Sequence, residues 1–115
     1  MNRVSNSNAR GMIAEYKEFQ GSNMFAKWLD IGNGRMEMKS LYVVYSYGSH
    51  FPMYVWDNNE KKWIGNKDKY SRSTTRHQSQ ARPNREIDVW YNTNEIKDVI
   101  YHGGLVGAIM ERART

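Results

Sequence analysis

The sequence predicts an α+β domain: a small antiparallel sheet of three to four strands around a central hairpin, with N- and C-terminal helices packed on one face. Three observations predict it. The stretch from Tyr42 to Trp56, YVVYSYGSHFPMYVW, sets β-branched and aromatic residues on both sides of Gly48 and Ser49, the pattern of a β-hairpin. Apolar residues recur at helical spacing near both ends, at positions 9, 12, 13 and 16 and again at 96, 99 and 100. Four Trp, eight Tyr and three Phe in 115 residues supply the bulky side chains whose burial offsets chain entropy.

Taken in order, residues 1–8, rich in Ser and Asn, read as a flexible N-terminus, and residues 9–115 as a single domain. Asn8 is placed to cap a helix through Ala9, Met12, Ile13, Tyr16 and Lys17. Gln20 to Asn23 break that pattern, and Met24, Phe25, Trp28 and Leu29 recur as in a second short helix, ended by Gly32, Asn33 and Gly34. In the hairpin, Gly48 supplies the positive φ of a tight turn, and Pro52 requires an edge strand or a missing donor directed away from pairing. Asp57 to Glu60 form a second turn, from which Lys61 to Ile64 return as a third strand with Trp63 packed on the meander. Gly65 to Tyr70 read as polar loop. Ser71 or Ser73 then caps a helix over Thr74 to Ala81, which Pro83 terminates. Ile87, Val89 and Tyr91 alternate as a fourth strand, and Thr93 or Asn94 starts a helix through Ile96, Val99 and Ile100. Gly103 and Gly104 interrupt it, and Leu105, Val106, Ile109 and Met110 resume it before the charged residues 111–115.

With 39% hydrophobic and 25% charged residues the chain is globular, and a mean hydropathy of −0.85 makes its surface very polar. The absence of Cys removes disulfides, thiolate nucleophiles and zinc–thiolate sites from consideration. His50, His77 and His102 are too widely separated to give a local metal-ligand spacing, so neither a metal nor another cofactor is expected. No apolar run approaches membrane-spanning length and no secretory signal opens the chain, so no membrane partner is expected.

The charge is the functional clue. Between positions 61 and 85 lie Lys61, Lys62, Lys67, Lys69, Arg72, Arg76, Arg82 and Arg85, eight of the seventeen basic residues, against the single acid Asp68. The other ninety residues carry nine basic and eleven acidic side chains. Clustered positive charge of this kind is the footprint of a surface that meets phosphates or an acidic partner. Around it, Tyr70, Thr74, Thr75 and His77 add hydrogen-bonding groups where a loop becomes a helix, a place where free N–H groups favour anions and Arg adds bidentate contacts. Arg72 and Arg76 share a helix face, with Ser79 close by. Tyr54, Trp56, Trp63 and Tyr70 neighbour the cations in sequence and are the candidate rings for stacking on bases if they are exposed. The bland reading of the same residues is that Ser and Thr cap a helix, Arg solubilises it and the rings are core. His77 with Ser71 or Ser73 and Asp68 or Asp88 lacks the nucleophile elbow of a hydrolytic triad. No RRM signature, zinc finger or glycine-rich phosphate motif is present, so base-specific reading is not expected.

The ordered pieces Tyr42 to Gly48, then His50, Phe51 and Pro52, then Trp63, then Tyr70, Ser71, Thr74, Thr75, His77 and Gln78 resemble a small domain recurrent in bacteriophage and mobile-element genomes. The resemblance covers about a third of the chain, between Leu41 and Pro83. It implies a phage accessory protein, which the lack of a signal or membrane-spanning run would leave in the host cytosol, and brings no catalytic residue or cofactor with it. The expectation is a non-enzymatic protein whose basic loop-helix engages nucleic acid without sequence preference. The alternatives are an inhibitor of a host or defence protein, of the anti-CRISPR or host-takeover type, using the same surface against an acidic or nucleic-acid-binding groove, and a nucleotide binder.

Overall fold

In the computed structural model the described residues are 2–32, 38–48, 51–69, 72–83 and 85–101. Ten elements follow one another: β1 (Asn2–Arg3), α1 (Asn6–Ala14), β2 (Phe19–Gln20), β3 (Met24–Gly32), β4 (Met38–Ser46), β5 (Pro52–Asp57), β6 (Lys62–Asn66), α2 (Arg72–Ala81), β7 (Val89–Tyr91) and α3 (Thr93–Tyr101). Among the described residues the strands form one seven-stranded sheet in chain order, β1-β2-β3-β4-β5-β6-β7.

The α+β class holds, but the sheet is larger than three to four strands and is mixed, antiparallel through its centre and parallel at both edges. The parallel pairs β1/β2 and β6/β7 are bridged by α1 and α2. Four antiparallel steps separate β2 from β6, so the two crossovers join strands that run the same way and step the same way across the sheet. Crossovers of one hand then deliver their helices to one face. Both are found there, in contact with each other and over a cluster that includes Phe19, Met24, Tyr42, Val44, Trp56 and Trp63. The third helix, α3, covers the opposite face through Ile96, Val99 and Ile100 against Leu41, Val43, Val55 and Ile64. Helices therefore lie on both faces of the sheet rather than on one.

Two-sided cover explains the sequence of the central strands. A strand buried on both faces has no solvent side to mark with polar residues, so it reads as a continuous apolar run. Every residue from Leu41 to Ser46 and from Phe51 to Asp57 is buried. Pro52 is tolerated because the β4/β5 register slips between Val44 and Tyr45, pairing Val44 with Tyr54 and Tyr45 with Pro52 and leaving Met53 unopposed.

The helix expected at Met24 to Leu29 is strand β3 instead. Its nine residues pair with β4, sending Met24, Ala26 and Trp28 to the α1/α2 face and Phe25 and Leu29 to the other. Ala26 and Lys27 blur the alternation in sequence, and the ladder decides the conformation. At the N-terminus, expected to be flexible, Asn2 and Arg3 pair with β2, and α1 starts at Asn6 behind Ser5. The last turn of α1 closes with Tyr16 N–H on the Ile13 carbonyl at 3.0 Å and Lys17 N–H on the Met12 carbonyl at 2.9 Å, a Schellman motif. It puts Tyr16 at φ 55°, where glycine is usual; the ring is held there against Trp63 at 5.9 Å and Trp56 at 5.0 Å. The expected Gly103 break and the segment after it lie outside the described residues. Among the described residues no helix is long and apolar enough to cross a membrane.

Candidate functional site

Helix α2, RSTTRHQSQA, carries two arginines and no acid. Its inward side is polar as well. His77 and Gln78 are buried with Ala81, and the fold satisfies them individually. His77 Nδ1 lies 2.8 Å from Ser46 Oγ at the end of β4. Gln78 Nε2 donates to the carbonyls of Asn66 at 2.9 Å and Asp68 at 3.2 Å, while the Gln78 carbonyl accepts the Tyr54 hydroxyl at 2.7 Å. Asn66, also buried, donates to the Pro52 carbonyl and to Thr93 Oγ1 and accepts the Asp68 N–H. These bonds fix the axial rotation of α2, and so decide which of its residues face water: Arg72, Ser73, Arg76 and Ser79.

That exposed stripe is joined by two further cations. Arg10, on α1, is exposed and donates from Nη2 to the Ser79 carbonyl at 2.6 Å. Arg82, just past the end of α2, is exposed with its guanidinium 5.9 Å from the Trp90 ring centroid. Burial raises the hydroxyl pKa of Tyr54, and the charges of Arg82 and then Arg10 pull against that rise. Lys69 Nζ reaches Gln78 Oε1 at 3.4 Å. Among the described residues the only ion pair joins Lys17 to Glu15, so no described carboxylate lies within 4 Å of these cations.

Asp68, the lone acid of the basic segment, is committed elsewhere. Its Oδ2 accepts the Thr93 N–H at 2.8 Å at the start of α3, and bonds from the Thr93 backbone and side chain hold its carboxyl below the ordinary value. Asn92 caps the same helix in a reciprocal box: its Oδ1 accepts the Glu95 N–H at 2.8 Å, and Glu95 Oε1 accepts the Asn92 N–H at 2.9 Å. The cap is thus one residue ahead of Thr93, and the Asn-x-x-Glu spacing that announces it is legible in the sequence.

The structure brings together only part of the expected set. Lys69, Arg72, Arg76 and Arg82 lie around α2, and Arg10 joins them through Ser79, 69 residues away in sequence, a contact no local pattern announces. Lys67 follows the end of β6, whereas Lys61 and Lys62 sit at its beginning, a strand length of about 17 Å away, with Lys61 Nζ on Asn58 Oδ1. Arg85 stands at a small cleft lined by Ile13, Ala14, Tyr16, Trp63 and Pro83. Thr75 is half-buried. Tyr70 lies outside the described residues, and of Thr74 only the helical backbone is described.

His77 requires a correction. It was expected on the binding surface, but it is 3% exposed, and burial, then Arg76, holds its pKa below the ordinary value. It is a neutral interior residue bound to Ser46. Nor do the histidine, serines and acids of a nominal triad converge: Asp68 is on Thr93 and Asp88 Oδ2 accepts the Trp63 N–H at 2.8 Å. Three of the four proposed stacking rings, Tyr54, Trp56 and Trp63, are core. The large apolar side chains that are exposed among the described residues are Tyr47 at 54% and Trp90 at 42%. Tyr47 lies 5.1 Å from the His77 ring and Trp90 beside Arg82, so the two exposed aromatics flank the cationic helix.

Comparison with family models, with curated proteins and with solved structures returns no match to this chain.

Proposed function

We propose that the α1/α2 layer is a nucleic-acid-binding surface that engages phosphates without sequence preference, in a non-enzymatic accessory protein of phage or mobile-element type. The observation that carries the reading is the set Arg10, Arg72, Arg76 and Arg82: exposed, gathered around one helix, and free of ion pairs among the described residues. Guanidiniums on a fixed backbone attract phosphate strongly where no carboxylate among the described residues competes, and each can bind it bidentately. The inward anchoring of His77 and Gln78 supports a binding rather than a catalytic role, since it takes the one imidazole of the helix out of reach of a substrate. The phage or mobile-element setting is proposed on the sequence resemblance of the hairpin-to-helix stretch alone.

Counterion release provides the test. If about four arginines contact phosphates, log K against log salt falls with a slope of about −3.6 on duplex DNA, and Arg76→Ala or Arg72→Ala lowers affinity on unrelated sequences alike while reducing the slope by about 0.9. Titration of labelled oligonucleotides at several salt concentrations reads both. Affinity indifferent to salt and to these substitutions, or equal affinity for polyglutamate, would overturn the reading in favour of an acidic protein partner.

A further inference from the structure

We infer that the preferred ligand of this surface is single-stranded nucleic acid, with Trp90 as the principal stacking platform and Tyr47 as a second; the inference rests on the nucleic-acid reading above and narrows it. Base faces are available for stacking in a single strand and hidden in a duplex, so rings exposed beside cations select the former.

Trp90 sits on β7, the edge strand, opposite Gly65 of β6. A β-carbon at Gly65 would fall 2.6 Å from Trp90 Cζ3 and 2.7 Å from Cε3, so the missing side chain is what allows the indole to lie against the sheet. Tyr54 meets it edge-on at 6.5 Å. The ring is therefore held by backbone and core, and still stays 42% exposed. The Arg82 guanidinium stands 5.9 Å from the ring centroid, the outer limit of a cation–π contact. A base stacks more strongly than an exposed cation at that distance, so it displaces Arg82, which is then free to take the adjoining phosphate.

Tyr47 is the second exposed ring, packed against a residue of α2. It stands at φ 65°, beyond the end of β4, with its ring against buried His77 and over half its surface in water. Two anchored, solvent-facing rings, Trp90 with Arg82 at its face and Tyr47 against the helix that carries Arg76, combine charge and aromatic surface as a site for a flexible strand does.

The experiment compares a fifteen-nucleotide oligo(dT) with a duplex of the same length, at one salt concentration, by fluorescence anisotropy. The proteins are the parent, Trp90→Ala, Trp90→Phe, Tyr47→Ala and Arg76→Ala, each checked for folding by circular dichroism. Trp90→Ala is expected to weaken oligo(dT) binding by about tenfold or more and duplex binding by less than about twofold, with Trp90→Phe retaining most of the single-strand affinity. Tyr47→Ala shows the same selectivity with a smaller loss. In the parent, oligo(dT) quenches tryptophan emission, and Trp90→Ala abolishes most of that quench, a signature that a merely structural role would not give. Parental oligo(dT) affinity in Trp90→Ala, or an equal loss on both ligands, overturns the single-strand inference; if Arg76→Ala still weakens both ligands, the phosphate-binding reading survives. Absence of binding to either nucleic acid overturns both.

Discussion

Replacing Gly65 by Ala tests the packing that holds Trp90 in place. The new methyl would stand 2.6 and 2.7 Å from two Trp90 ring carbons and 3.0 Å from Ile87 Cγ2, where carbon–carbon contact settles at about 3.5–4.0 Å. The indole must withdraw by about 1 Å. Overpacking of this kind costs about 1–3 kcal/mol. Against it stands the reduced entropy of the unfolded chain when glycine becomes alanine, about 0.5–1 kcal/mol. The net expectation is a destabilisation of about 1–2 kcal/mol, a fall in Tm of roughly 5–10 °C for a domain of this size. Urea denaturation followed by circular dichroism measures it, and the Trp90→Ala background isolates the cause. With the ring gone, Ile87 remains as the tight neighbour, so Gly65→Ala becomes nearly neutral and the cycle yields a coupling of about 1–2 kcal/mol. An alanine variant as stable as the parent, or equally destabilised with and without the indole, would refute the argument that glycine is there to seat Trp90.

Two other perturbations probe the anchoring of α2. His77 has a folded-state pKa below its ordinary 6.5, so below pH 6.5 the unfolded chain binds more protons than the native one, and stability falls as the solution is acidified from pH 7 towards the folded pKa. In His77→Asn that part of the slope, at most about 1.4 kcal/mol per pH unit, is expected to vanish in urea denaturation between pH 5 and 7.5, and an unchanged profile would contradict neutral burial. Asn66→Ala leaves the Asp68 N–H and the Pro52 carbonyl without their Asn66 partner in the interior, and is expected to cost about 2–4 kcal/mol by chemical denaturation, with a loss below about 1 kcal/mol counting against the network.

Several elements were legible before the fold was seen, because their signals are local. Gly48 and the apolar runs on either side mark β4 and β5, Pro83 marks the end of α2, and Ile96, Val99 and Ile100 mark the buried face of α3. What the sequence concealed depended on distant pairing. Met24 to Leu29 satisfies a helical template, and only the long β4 partner makes it a strand. The run of apolar residues from Leu41 to Ser46 is the mark of cover on both faces, whereas the hairpin pattern by itself fits a single helical layer equally well. In the candidate site, the shared exposure of Arg72 and Arg76 on α2 is legible because i and i+4 geometry is local. Arg10 and Trp90 carry no local signal, because nothing near them in sequence records that α1 borders α2 or that Trp90 meets Arg82. His77 was misplaced for a related reason: in a helix this polar, composition does not reveal the inward side, which is set by Ser46 and Asn66 from two separate strands.

The unbroken chain order of the sheet has a kinetic consequence. From β2 to β6 each strand meets the one synthesised just before it, so assembly proceeds by short closures whose entropic cost is small, and no central strand waits for a distant one. The two steps that require a helix to be threaded across the face are both at the margins. The middle of the molecule can therefore be in place before the arginine-bearing layer settles on it, leaving that layer free to vary with little effect on how quickly the scaffold forms.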